Sequence, residues 1–195
     1  MVSTRAEARE ATRRAVLDAA SQLFDTRGFH ATTIRDIAHK AGVSVGTVMA
    51  AGDKEALLVE LFDGLIEERQ QEVNAQPHHA NSRRVADIVA VVAPFVDLFE
   101  ERRQLAQTYA SILVGGRHSS VVFTDLARRL IEVFKQILTA GGWFTPSDAS
   151  QRAQALHAAY VGSLFMWAAT PERSAADFIG QLYKVFAAIC SYEGE

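Results

Sequence analysis

Apolar residues recur along this chain at intervals of three and four and nowhere alternate, so the pattern predicts helices throughout and no sheet. Ala15, Val16, Ala19, Ala20, Leu23 and Phe24 make one stripe between Arg9 and Arg27, closed by Gly28. Ile34, Ile37 and Ala38 predict a short helix, and Val45, Val48 and Met49 a second. Leu57, Leu58, Leu61, Phe62, Leu65 and Ile66 predict a longer one that opens at Asp53, a good N-cap. The polar run 76–82 is the clearest loop. Beyond it lies an apolar stripe from Val85 to Phe99 with Pro94 inside it, where a kink is expected. Stripes follow at 104–113, then from Ser119 or Ser120 to Leu138. The next opens at the Thr145-Pro146-Ser147-Asp148 capping box, and the last at Ser174 with Asp177. The fold class is all-α.

The stretch 32–58, TTIRDIAHKAGVSVGTVMAAGDKEALL, organises the rest. Thr33 can cap its first helix with Asp36 as box partner. Gly42 suits the left-handed residue of a sharp turn. Ser44 can cap the second helix. Two short helices joined through a glycine-containing turn make a helix-turn-helix, whose second helix enters the DNA major groove. Ser44, Val45, Gly46, Thr47 and Met49 fall on or near its leading part. Thr47 can hydrogen-bond a base or phosphate, and Val45 can touch a thymine methyl. Thr33 and Lys54 stand at helix N-termini, where phosphate is favoured, and Arg35 can reach a base edge or a phosphate. Residues 1–10, with Arg5 and Arg9, read as a frayed end or a helical extension, a solvated tail in preference to a DNA-touching arm.

The segment from about 12 to 62 resembles the TetR family of transcriptional regulators. The features that carry the resemblance are Ala19-Ala20, Leu23-Phe24, Gly28, Thr32-Thr33, Ile37-Ala38, the AGVS turn, Gly46-Thr47, and Lys54-Glu55 with Leu57-Leu58. The resemblance implies a DNA-binding head of three helices and a helical body holding a ligand cavity. It also implies a homodimeric repressor released from a palindromic operator by a small ligand. Met49 stands where the family carries a phosphate-touching aromatic, and the following loop looks one residue short. Lower backbone affinity is therefore expected. The alternative is a helical ligand-binding protein with weakened or lost specific DNA binding.

Composition changes this picture little. At 195 residues and 49% apolar, the chain can bury a sizeable core. The net charge of −3 does not suggest a nucleic-acid binder, but residues 1–56 hold eight Lys/Arg against seven Asp/Glu, a mildly basic head on an acidic body. Cys190 is the only cysteine, which excludes an internal disulfide and fits a reducing compartment. No apolar signal core or membrane-length run occurs, so a cytoplasmic protein without membrane attachment is expected.

For enzyme chemistry there is no ordered Ser/His/Asp set, no His-Glu-x-x-His spacing and no phosphate loop. His78 and His79 are adjacent and lack the one-turn spacing of a helical metal pair. No metal, cofactor or enzymatic activity is expected. The boundary is set at residues 1–52 for the DNA-binding head and 53–195 for the ligand-binding and dimerisation body. In that body Phe95, Phe99, Tyr109, Phe123, Phe134, His157, Tyr160 and Phe165 are candidates to line a site for a small, mostly apolar effector, although each taken alone reads first as core. Ala158, Val161, Gly162, Phe178, Leu182, Val185, Phe186 and Ile189 exceed what one protomer can bury, and are candidates for an isologous helical dimer interface.

Overall fold

The computed structural model describes residues 4–75, 84–140, 144–170 and 173–191. Nine helices form among them and no strand: α1 (Arg5–Arg27), α2 (Ile34–Ala41), α3 (Val45–Ala51), α4 (Lys54–Ala75), α5 (Arg84–Glu101), α6 (Arg103–Val114), α7 (Val121–Ala140), α8 (Pro146–Ala168) and α9 (Ala175–Cys190). The polar loop at 76–82, with His78 and His79, lies outside the described residues, as does the Gly141-Gly142 pair.

The capping residues act as their positions require. Thr33 and Ser174 close reciprocal boxes with Asp36 and Asp177, and Thr145 caps α8 with Pro146 at its first turn. Thr4 and Glu7 close a further box, so α1 starts at Arg5. The first residues are thus a helical extension, exposed to solvent from that point. Pro94 sits inside α5, which continues through it to Glu101.

The contacts divide the chain into two compact units: Met1–Gly64 with Gln104–Ser120, and Leu65–Arg103 with Val121–Glu195. The sequence boundary at 52/53 falls inside the first unit. In that unit α1 packs on α2 and α3, and α2 packs on α3. Val16, Ala20, Ile37, Val48 and Leu57 are fully buried in its core. Arg13 forks onto Glu60, with Nε to Oε1 at 2.9 Å, and reaches the carbonyl of Ala51, tying α1 to α4 and to the end of α3.

The first half of α4 carries a second set of contacts in the same unit. The Tyr109 ring stacks on Phe62 at 4.6 Å between centroids. The hydroxyls of Tyr109 and Ser120 both donate to Asp63 Oδ1, each at 2.7 Å. Arg117 pairs with Glu55 at 2.7 Å, and His118 Nε2 lies 3.3 Å from Asp53 Oδ1.

In the second unit α7 packs on α8, α5 on α7 and α9, and α8 on α9. Phe134, Leu138, Leu156, Leu182 and Phe186 are fully buried there. Trp167 stacks on Phe178, 4.9 Å between centroids. The Arg103 guanidinium lies 4.4 Å from the Trp167 ring centroid and donates to the carbonyls of Thr170 and Arg173, pinning the turn between α8 and α9. Arg152 stacks over Phe144 and donates to the carbonyls of Ile189 and Ser191, closing the end of α9. Among the described residues no helix is long and apolar enough to cross a membrane.

Candidate nucleic-acid interface

The turn between α2 and α3 is built by Gly42, at φ 67° and ψ 30°. Its N–H donates to His39 O, and the Val43 N–H reaches back to Ala38 O at 3.0 Å. This is a Schellman ending, which satisfies the last carbonyls of α2 and turns the chain sharply. Ser44 Oγ accepts from the Thr47 N–H at 3.1 Å and starts α3 at once. Only Val48 of α3 is fully buried, so it is the residue that seats α3 on the head.

The opposite face of α3 is open. Val45 is 44% exposed and Met49 52% exposed, although both share the helical spacing of Val48. Gly46 and Ala50 are exposed beside them. A Cβ placed on Gly46 would meet only Ser44 Oγ, at 3.7 Å, so nothing inside the protomer demands a glycine. The Ser44 and Thr47 hydroxyls lie 2.9 Å apart and bond each other. The α3 stretch 43–52 carries no charge, while Arg35 and Lys40 of α2 are exposed.

Thr33 is engaged by its own cap. Its hydroxyl and backbone N–H donate to Asp36 Oδ2 at 2.6 and 2.9 Å. These two bonds, the hydroxyl's first, hold the Asp36 carboxyl below its ordinary range, with help from Arg27 at 3.6 Å. Lys54 departs from expectation. Its Nζ donates to the carbonyls of Phe29 and Thr32, both at 3.0 Å, and lies over the Phe29 ring. The ammonium points inward because the α1–α2 loop offers it two carbonyls, of which that of Phe29 also accepts from the Thr32 N–H, and an aromatic face. It is a strut of the head, not a free phosphate ligand. The Thr32 hydroxyl completes that loop by donating to Gly28 O at 2.9 Å.

Of the candidate ligand residues, Tyr109 belongs to the first unit and the other seven to the second. Tyr109 is committed to Phe62 and Asp63 in the first unit, and burial drives its phenol pKa far upward. Phe134 is core, against Phe186. Phe95 and Phe99 are buried in α5, Phe123 is half-buried and Phe165 is exposed. His157 and Tyr160 differ from these. They lie one turn apart on α8, Tyr160 buried and His157 half-buried, and neither has a hydrogen-bond partner among the described residues. Desolvation alone lowers the His157 pKa and raises that of Tyr160.

The dimer candidates need correction. Phe178, Leu182 and Phe186 are core of the protomer, since α9 turns that stripe onto α5 and α8. Val161, Val185 and Ile189 are half-buried, and Ala158 and Gly162 are exposed. Exposed apolar positions that the sequence reading missed extend this last pair. Ala155, Ala158, Gly162, Phe165 and Met166 follow one another at helical spacing on α8, and Gly180 and Tyr183 do so on α9. The spacing was available in the sequence, but burial alone decides which of two apolar stripes faces outward.

A capped two-helix corner seated on a third helix, with an uncharged open face on its second helix, defines a DNA-binding transcriptional regulator of the helix-turn-helix class. Residues 16–61 match the model for bacterial regulatory proteins of the tetR family. It is 26% identical to the HTH-type transcriptional regulator HbdR of Aromatoleum sp. (strain CIB), over 87% of this chain and 76% of that protein. It is 29% identical to the HTH-type transcriptional regulator BetI of Brucella canis, over 73% of this chain and 70% of that one. The crystal structure of Thermus thermophilus FadR, a TetR family transcriptional repressor in complex with lauroyl-CoA, shares the fold. Its TM-score is 0.65 at 22% identity, over 94% of this chain and 97% of that one.

Proposed function

We propose that this regulator is a homodimeric repressor that binds a palindromic operator through α3 and releases it when a small ligand enters the helical body. The observation that carries the reading is the open, uncharged outer face of α3, with Gly46 leaving room that nothing within the protomer uses. Residues Ser44, Val45, Gly46, Thr47 and Met49 make that face, and Arg35 is exposed on α2. Thr33 contributes through the N-terminus it caps.

Two further features support the mechanism. The exposed apolar stripe on α8, continued by Tyr183 on α9, suits a two-fold contact with a second copy. A dimer places two heads on half-sites about 34–36 Å apart, or a multiple of that spacing. The unpartnered hydroxyl of Tyr160 and the desolvated imidazole of His157 give an apolar effector one polar anchor. An acyl thioester is the first ligand class to test, because the Thermus FadR structure holds lauroyl-CoA. A ligand acts only by binding the DNA-incompetent state better than the DNA-bound one.

The test is a mobility-shift titration on the DNA flanking its own gene, with and without acyl-CoA thioesters of graded length. A specific complex that one length class dissolves is expected. Binding no tighter than to random DNA would favour the second reading, a helical ligand-binding protein without specific DNA recognition.

A further inference from the structure

The outward face of α3 offers almost no hydrogen-bonding chemistry to a base edge. Val45 and Met49 stand one turn apart as its exposed large side chains, with Gly46 and Ala50 as the adjacent column. The hydroxyls of Ser44 and Thr47 bond each other, so one of their two protons is already engaged, and Ser44 Oγ also takes the Thr47 N–H. No residue from Val43 to Gly52 is charged. The cations Arg35 and Lys40 lie exposed on α2, so α3 itself presents no charge to a base or a phosphate.

In the major groove, the apolar group on a base edge is the C5-methyl of thymine. Two exposed side chains with no polar atom but a thioether sulfur can gain from that group and from little else there. We propose that α3 reads its operator chiefly through thymine methyls, packed by Val45 and Met49, and that each half-site therefore carries at least two thymines. Hydrogen-bond readout falls to Arg35 and Thr47. This rests on the DNA-binding reading above and specifies which chemistry in the groove is recognised. The alanine and glycine column lets the helix backbone sit close enough for side chains as short as valine to reach the methyls.

The experiment uses the full-length protein and duplexes selected from a random library for tight binding. Each thymine of the selected site is replaced in turn by uracil, which removes the methyl and leaves the hydrogen-bonding edge intact. At two or more positions per half-site, affinity is expected to fall about fourfold per methyl, the factor that burying one methyl-sized group brings. Val45→Ala should weaken the thymine duplex and erase the uracil effect at one position, and Met49→Ala should erase it at another. Equal affinity for thymine and uracil duplexes at every position would overturn the inference while leaving specific DNA binding in place. So would a uracil effect that both alanine variants leave unchanged. Recovery of no preferred sequence at all would overturn the DNA-binding reading and this inference with it.

Discussion

The ammonium of Lys54 lies 4.3 Å from the centroid of the Phe29 ring and donates to the carbonyl of that same residue at 3.0 Å. One side chain at the start of α4 thereby fixes the loop between α1 and α2. Removing it takes the charged donor from both carbonyls of a part-buried loop, leaving that of Phe29 only the Thr32 N–H. Lys54→Ala is expected to lower stability by about 2 kcal/mol, in the range for hydrogen bonds to charged groups. Hydrogen exchange should speed up locally at residues 29–33. The salt slope of DNA binding should stay near the wild-type value, because the charge faces inward; a slope flatter by about one unit would show it on a phosphate instead.

Gly46 occupies an ordinary helical position, where an added Cβ would meet only Ser44 Oγ at 3.7 Å. Gly46→Ala should therefore raise stability by about 0.5–1 kcal/mol through helix propensity. The added methyl points to the face proposed to meet DNA, so affinity should fall while the melting temperature rises. A variant that is both more stable and as tight on its operator would move the DNA contact elsewhere.

Two buried tyrosines make a matched pair. The Tyr109 hydroxyl donates to Asp63, and the Tyr160 hydroxyl has no partner among the described residues. Tyr109→Phe should cost roughly 1.5–3 kcal/mol, the range for a bond to a carboxylate. Tyr160→Phe should leave urea stability unchanged or slightly raised, and should weaken the response to effector. Loss of stability in Tyr160→Phe, with an intact response, would make that residue core.

The open face of α8, and not the inner face of α9, is where an interface can be tested. Leu182 is 0% exposed, so Leu182→Arg would bury a charge in the protomer and unfold it. Met166 is 75% exposed on the open α8 stripe. Met166→Glu should leave the fold intact and yield monomers by sedimentation at micromolar concentration. A monomeric wild type, or a dimeric Met166→Glu joined by Phe165→Glu, would remove this face from the assembly.

Burial lowers the His157 pKa below its ordinary 6.5. The unfolded chain then binds more protons than the folded one as pH falls through 6.5, so stability is full above that value and declines below it toward the folded pKa. His157→Gln should flatten the decline of melting temperature over this window. An unchanged profile would place the titration on other groups.

The helices were legible because caps and apolar spacing are local. Thr33 with Asp36, Ser174 with Asp177, and Gly42 at the turn act in the structure through residues three to five positions away. Choices that depend on distant partners were not legible. Lys54 looks like a phosphate ligand until the carbonyls of Phe29 and Thr32 are in place. Phe178 and Leu182 look like surplus apolar surface until α5 covers them. Asp63 gave no signal at all, because its meaning lies in hydroxyls 46 and 57 residues further along the chain.

The first unit is not a continuous stretch of chain, since Gln104–Ser120 completes it. A cut after Gly64 would yield three whole helices and half of a fourth, while stripping Phe62 of the Tyr109 ring and Asp63 of two hydroxyls. The DNA-reading end of this molecule is therefore not a portable cassette. A chimera that grafts it onto another regulator's body must carry α6 and the residues up to Ser120 with it. Recombination between relatives within α4 is filtered the same way, through whether the incoming α6 matches the Asp63 it must meet.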